Sequence, residues 1–150
     1  MKPFNLLASA LVITFTAGAA MAERINMTSN ASVATSVERL TNAVKAAGAR
    51  VFTTVDFQQG AKSVGEDLRP TTVVIFGTPK IGSTALQEGQ TMALFLPLRI
   101  LFFEDKNGQT WATYNDPASV APSHGLAANN RAILQMQGAL DRFATIATGQ

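Results

Sequence analysis

The sequence predicts an α+β fold, in which an antiparallel sheet carries helices packed on one face. Three observations predict it. Short stretches alternate polar and apolar residues with the period of a strand, and two longer segments repeat apolar residues with the period of a helix. The strands are joined by tight turns, of which Lys106-Asn107-Gly108 is the strongest. Hairpins flanked by helices are typical of this class.

The first elements predicted are a strand over Glu23–Thr28 and a helix capped by Ser32. One apolar stripe on this helix comprises Val33, Val37, Leu40 and Val44. Gly48 stands where a left-handed residue would end the helix. A half-buried strand follows over Arg50–Phe57, and the residues predicted on its buried face are Val51, Val55 and Phe57.

The middle of the chain begins with a short helix within Gln59–Leu68, which Arg69-Pro70 ends. Thr71–Phe76 is a continuous β-branched and apolar run, which indicates a central strand. Ile81–Gly89 is predicted as a second short helix, closed by its glycine. The strands Leu98–Asp105 and Gln109–Tyr114 then form a hairpin, whose Glu104 and Asp105 we expect to be solvated.

Asp116 before Pro117 is a favourable helix start, and the longest helix is predicted over Leu126–Ala147. Its buried stripe comprises Leu126, Ile133, Met136, Leu140, Phe143 and Ala147. The predicted order is therefore β-α-β-β-(short helix)-β-β-α.

The first 22 residues have the features of a cleavable secretory signal. Lys2 precedes an uncharged apolar stretch over Leu6–Ala17, and Ala20-Met21-Ala22 matches a cleavage site. A permanent membrane anchor is the less favoured alternative, because a spanning helix needs about 20 apolar residues. We expect residues 1–22 to be removed and residues 23–150 to form one domain, periplasmic or secreted, with no membrane span after cleavage.

Composition excludes several classes of site. The sequence has no cysteine, and His124 is its single histidine, so disulfides, thiol nucleophiles and multi-histidine metal sites are excluded. Loss of Lys2 leaves 11 basic and 10 acidic residues, a net charge of +1. The basic residues are scattered, so we expect neither nucleic acid nor an anionic membrane as a partner. No cofactor is predicted.

An ordered set of short motifs carries a family resemblance. The set comprises Ile-Phe-Gly-Thr-Pro-Lys (75–80), Leu-Pro-Leu-Arg (96–99), Phe-Glu-Asp-Lys-Asn-Gly (103–108), Tyr-Asn-Asp-Pro (114–117) and His-Gly (124–125). In this order and spacing the chain resembles the uncharacterised family called domain of unknown function 302.

The resemblance implies a curved antiparallel sheet of β-α-β4-α order, similar to the TATA-binding-protein class, with a long C-terminal helix packed on it. It also implies a compact homodimer and no established activity. Family members often carry an acid just before the Leu-Pro pair, where this chain has Phe95. A shared site that used this acid would be altered here.

One motif suggests an anion-binding site, although a simpler structural interpretation also explains its residues. Gly77–Thr84 is close to a phosphate loop, but Ser83 replaces the lysine that contacts the phosphates, so at most a small anion near Ser83 and Lys80 is expected. A strand-to-helix turn explains the same residues and is favoured.

His124 could act as a base with Asp116 and Ser123, or bind a metal with Asp116 and Glu104. No nucleophile elbow is present, and helix capping already explains Asp116. Whether the protein is an enzyme is therefore left open, although no catalytic constellation is visible.

The most informative feature is the strand Leu98–Phe103, which is apolar on both faces. A sheet that is covered on one face needs apolar side chains on that face alone. A second subunit or a ligand cavity is therefore expected on the opposite face. Most of the chain's aromatic residues should lie in the core; those considered are Phe52, Phe57, Phe76, Phe95, Phe102, Phe103, Trp111 and Tyr114.

Our leading hypothesis is an exported binding or interaction module that self-associates through its sheet. The alternative is a small-molecule- or anion-binding domain, or an enzyme of weak signature, with its pocket between sheet and helices. The candidate ligand-binding residues are Lys80, Arg99, Tyr114, Asp116 and His124.

Overall fold

The structure is a computed structural model that describes residues 22–150. The predicted signal peptide lies outside the described residues, except for its last residue, Ala22. The strands are β1 (Arg24–Thr28), β2 (Arg50–Asp56), β3 (Thr71–Gly77), β4 (Leu98–Glu104) and β5 (Thr110–Asn115). The helices are α1 (Val33–Ala46), α2 (Phe57–Ser63), α3 (Pro79–Glu88), α4 (Pro117–Val120) and α5 (Arg131–Thr148). Two 3₁₀ segments, Gln90–Phe95 and Ala121–His124, precede β4 and follow α4.

The five strands form one antiparallel sheet in the order β1-β5-β4-β3-β2. Helices α1 and α5 pack on one of its faces, as the core residues of both show. The predicted fold class is therefore confirmed: an α+β fold with an antiparallel sheet and a long C-terminal helix.

The main core lies between this face and the two helices. From the sheet it takes Val74, Phe76, Ile100, Phe102, Ala112 and Tyr114, all buried. Leu40 and Val44 of α1 and Phe143 of α5 close it from above. The rings of Phe76 and Phe143 meet edge to face, with centroids 5.5 Å apart. This geometry is favourable for two aromatic rings and holds α5 against the end of β3.

A second apolar cluster lies beside the first. It is built from α3, the two 3₁₀ segments, α4 and the first half of α5, and its buried members include Ala85, Met92, Leu126 and Met136. Leu98, at the start of β4, packs against both clusters. The helical layer therefore contains two adjoining cores.

Side-chain caps fix where the helices begin and end. Ser32 accepts a hydrogen bond from the backbone N–H of Thr35, and Asn130 accepts one from Ala132. Gly48, with φ of +70°, lies just after α1, as predicted from its freedom to adopt a left-handed conformation.

Two predicted details are wrong. The strand β2 contains a bulge between Val51 and Thr53, so Val51 pairs with Phe76 while Val55 pairs with Val73. One extra residue reverses the alternation, and Val51 and Val55 therefore point to opposite faces.

The last helix begins at Arg131 and not at Leu126, because Gly125 adopts a left-handed φ of +82° and Asn130 caps the helix.

The aromatic residues are less buried than expected. Of the eight considered, Phe76, Phe102 and Tyr114 are buried, whereas Phe52 and Phe57 expose 43% and 46% of their surface. Both exposed rings lie in β2 or at its end, the edge strand that the helices leave most accessible.

The sheet face away from α1 and α5, here called the open face, is also apolar. Register pairing places Val55, Val73 and Leu101 side by side across three strands, and Phe103 beside Trp111. These side chains are partly exposed. The two apolar faces predicted for β4 are therefore present.

Within residues 22–150, we find no helix with the length and apolar character needed to cross a membrane.

Candidate ligand-binding cleft

A cleft of about 410 Å³ opens where the two apolar clusters meet. Its walls come from α3, from the chain between the first 3₁₀ segment and the start of β4, and from the middle of α5, and its lining includes Phe76 near the end of β3. Pockets that bind small molecules have volumes of about 300–1,000 Å³, so the cleft is large enough for one.

The lining is almost wholly apolar. The large apolar residues of the lining are Phe52, Phe76, Ile81, Leu86, Leu96, Leu98, Met136 and Phe143. Small residues create the space between them, among them Gly82 on α3 and Ala139 on α5. A Cβ placed at Gly82 would meet Leu96 Cδ1 at 3.9 Å, which is ordinary contact and leaves the cleft open above it.

Three polar residues complete the lining: Thr78, Ser83 and Arg142. Thr78 precedes α3 without capping it, and its Oγ1 is buried with no hydrogen-bond partner among the described residues. Arg142 is exposed and is the one charged residue among the described residues that line the cleft. Its guanidinium carbon lies 4.8 Å from the ring centroid of Phe143.

A second arginine stands near the opening. The guanidinium carbon of Arg50 lies 5.5 Å from the ring centroid of Phe52, which itself lines the cleft. Both arginines therefore stack on aromatic rings of the cleft wall, an arrangement that cation–π attraction stabilises.

The residues among 22–150 that line the cleft include none of the five candidate residues from the sequence. Lys80 is exposed in the first turn of α3, between Pro79 and Ile81, which do line the cleft. Arg99 points to the open side of β4, and its Nη2 donates a hydrogen bond to the carbonyl of Leu94, at 3.2 Å. It borders a smaller hollow of about 170 Å³ between β4 and the end of β5.

Tyr114 and Asp116 lie at the far end of β5. Tyr114 is buried in the main core, and burial raises the pKa of its phenol, assisted by the charges of Asp141 and Asp116. Asp116 Oδ1 accepts hydrogen bonds from the backbone N–H of Ala118 at the start of α4 and from Gln137 Nε2, both at 2.9 Å. Its carboxylate therefore has the capping role that the sequence favoured.

His124 ends the second 3₁₀ segment. Its Nδ1 lies 2.9 Å from Thr91 Oγ1, and its ring stacks at a tilt on Phe95, with centroids 5.1 Å apart. Phe95 thus packs on this histidine.

The chemical alternatives for His124 lack support in the geometry. Ser123 Oγ donates to the carbonyl of Val120 at 2.7 Å, and Asp116 is bound to the start of α4. Among residues 22–150 no three histidine, aspartate or glutamate side chains gather closely enough to hold a metal ion. Most residues of the phosphate-loop pattern lie in α3, because the helix begins at Pro79. Only Thr78 then remains between β3 and α3 to form a loop.

Comparison with known proteins decides the family. The model of the family described as "Domain of unknown function DUF302" matches residues 25–143. The chain belongs to this family. A crystal structure of an uncharacterised conserved DUF302 protein from Bacillus stearothermophilus superposes with a TM-score of 0.66, covering 84% of this chain and 95% of that one. Its sequence is 16% identical, so this likeness concerns the fold alone.

The curated relatives that match this DUF302 chain are named as ion channels. Proteins called "Fluoride-specific ion channel FluC 1" from Brucella suis and Brucella abortus are each 38% identical to it over 124 residues, or 80% of the chain. The chain spans about half the length of these relatives, 49% and 46% respectively. The activity in their name is therefore a statement about those whole proteins.

Sequence reasoning expected a pocket between the sheet and the helices of this DUF302 domain, but it did not single out the residues that line the cleft. Polar and titratable residues are what mark a site in a sequence, whereas this cleft is made mainly by alanine, glycine, leucine and phenylalanine, which are common in any core.

Proposed function

We propose that this DUF302 protein is an extracytoplasmic module that binds a small apolar molecule in the cleft between α3, α5 and the end of β3. The observation that carries the proposal is the 410 Å³ apolar cleft at the junction of the two cores. Location outside the cytoplasm rests on the signal-like residues 1–22 of the sequence.

The cleft favours binding because of what its walls offer. Each apolar side chain there faces space on one side and so lacks the contacts that a packed interior supplies. An apolar molecule would restore those contacts and remove apolar surface from water, worth about 25 cal/mol per Å². The side chains of both clusters, such as Phe143 and Met136, would contribute together.

The same lining favours binding over catalysis. Its polar members among the described residues are two hydroxyl groups and one guanidinium. A general acid or base needs a pKa near the working pH, which none of these groups ordinarily has. Fluoride transport is not part of the proposal, because the match covers only about half of the channel-named relatives.

Filling the cleft tests the proposal. We expect Gly82→Leu to weaken binding of the neutral dye Nile red about tenfold or more, since the new side chain projects toward Leu96 across the cleft. Gly138→Leu is the matched control, because the same change on α5 meets open space. Fluorescence titration measures both affinities, and thermal melting checks that both variants fold.

Nile red that fails to bind the wild type, or binds both variants equally well, would contradict a binding role for the cleft.

A second candidate function, self-association, is favoured by the open face. Val55, Val73 and Leu101 form a continuous apolar row, and each is partly exposed. We propose that a second copy of the chain covers this row, giving a homodimer with a two-fold axis over the sheet. A contiguous apolar surface of this kind is typical of an interface.

Light scattering after size exclusion, over a range of concentrations, measures the assembly. We expect a dimer for the wild type and a monomer for Leu101→Lys, because a buried lysine would leave an unpaired charge between the two copies. Val55→Lys is a second variant at a site already 38% exposed, where folding is not at risk. Gln135→Lys, on the exposed surface of α5, adds the same charge and should remain dimeric. A wild type that is monomeric at all concentrations contradicts the dimer.

A further inference from the structure

We infer that the ligand of the cleft is an anionic amphiphile, with an apolar body and one carboxylate group at the opening. The inference rests on the proposed binding function and adds the chemical class of the ligand. It is carried by the two arginines, Arg142 and Arg50, that stand on the aromatic walls.

Among the described residues, the charge carried by the cleft lining is positive. Arg142 lines the cleft directly, and Arg50 stacks on the lining residue Phe52. Lys80 adds an exposed ammonium one residue from Pro79 and Ile81. Among the described residues that line the cleft, none is acidic. A neutral or cationic ligand would gain nothing from this arrangement, whereas an anion is attracted to it.

The stacking also determines how the cations are presented. A guanidinium that rests on an aromatic ring keeps its N–H groups directed outward in its own plane, free to donate to a planar oxyanion. A carboxylate accepts such donors in pairs, which adds direction as well as attraction. Arg142 is thereby placed to receive the charged end of a molecule whose tail contacts Phe143 and Met136.

Two probes of equal chain length separate the effect of charge from that of apolar contact. Decanoate and decanol are each titrated against bound Nile red, below the concentrations at which they aggregate. We expect decanoate to compete about fivefold more effectively than decanol, a modest factor because Arg142 is exposed and its charge is screened.

Substitution of Arg142 assigns the preference to a residue. Arg142→Gln should reduce the ratio of decanoate to decanol competition from about fivefold to near one, whatever its effect on the affinity for decanol, and Arg142→Lys should restore part of the ratio. Arg131→Gln is the matched control, since it removes an arginine from the exposed start of the same helix and leaves the cleft lining unchanged. The preference should also decline as salt is raised.

The outcomes distinguish this inference from the proposal beneath it. If decanol and decanoate compete equally well, or Arg142→Gln retains the preference, the anionic class is wrong while the cleft remains a binding site. If neither probe competes and Nile red does not bind, both fail together. A preference lost equally in Arg131→Gln would reflect net charge alone and would also overturn the inference.

Discussion

Asp105 accepts three hydrogen bonds at the end of the β4–β5 hairpin. Its Oδ1 receives the backbone N–H groups of Asn107 and Gln109, at 2.8 and 3.0 Å, and its Oδ2 receives Trp111 Nε1 at 3.0 Å. The sequence had suggested that this residue is simply solvated, because charged side chains at a hairpin end usually are. Its carboxylate instead links the turn to the indole of β5.

These donors favour the charged form of Asp105. The hydrogen bond from Trp111 has the largest effect and lowers the pKa of Asp105 below the ordinary 3.8. Burial opposes it, and the backbone donors and the charge of Arg69 add smaller effects that lower the pKa further. Since the folded state then binds fewer protons than the unfolded state, this contribution is complete above the ordinary pKa. It is lost as the pH falls through the lower folded value.

We therefore expect Asp105→Asn to lose less thermal stability than the wild type when the pH is lowered from about 5 to below about 3. Melting curves followed by circular dichroism measure this difference in slope, and Trp111 fluorescence reports the hairpin locally. Asp67→Asn is the control, because it removes the same charge from the exposed connection between α2 and β3. A wild type and Asp105→Asn with parallel pH profiles would show that the hairpin carboxylate contributes nothing.

At the scale of elements, the end of α3 is fixed by close contact with the second 3₁₀ segment. Gly89 is buried just after the helix, and a Cβ at this position would collide with the side chain of Leu126 and the carbonyl oxygen of His124. The backbone φ of −140° is open to any residue. Glycine is needed here for space and not for conformational freedom.

We expect Gly89→Ala to destabilise the protein by about 2 kcal/mol, because a backbone carbonyl cannot move aside as a flexible side chain could. Gly138→Ala should have the opposite effect, about 1 kcal/mol of stabilisation, since it improves helix propensity at an open site. Chemical denaturation of the two variants measures both values. Equal stability of Gly89→Ala and wild type would mean that the two segments separate without cost.

The ends of helices and the turns could be predicted where they depend only on residues that are neighbours in the sequence. Ser32 capping α1, Gly48 after it and the Lys106-Asn107-Gly108 turn all depend on neighbours in sequence. The bulge in β2 depends instead on how an edge strand matches β3, which no local pattern records. The start of α5 was misplaced because Leu126 is buried, as a helical stripe requires, yet lies before the helix.

At the scale of the whole molecule, the fold was more accessible to sequence reasoning than the site. Apolar periodicity and turn residues recover a sheet with two packed helices, because each element must bury one face. The cleft arises from distant segments that leave space between them, and its lining residues, such as Gly82 and Ala139, come together only after folding. The predicted residues Tyr114 and Asp116 have structural roles, in the main core and at the start of α4.

The junction of the two cores at Leu98 has a thermodynamic consequence. A molecule bound there would pack against both cores, and because it would bind the folded state alone it would stabilise both cores together against unfolding. That gain grows with the logarithm of ligand concentration above the dissociation constant, about 2.7 kcal/mol at a hundredfold excess. The free energy of unfolding of the protein would then depend on the concentration of that ligand in its compartment.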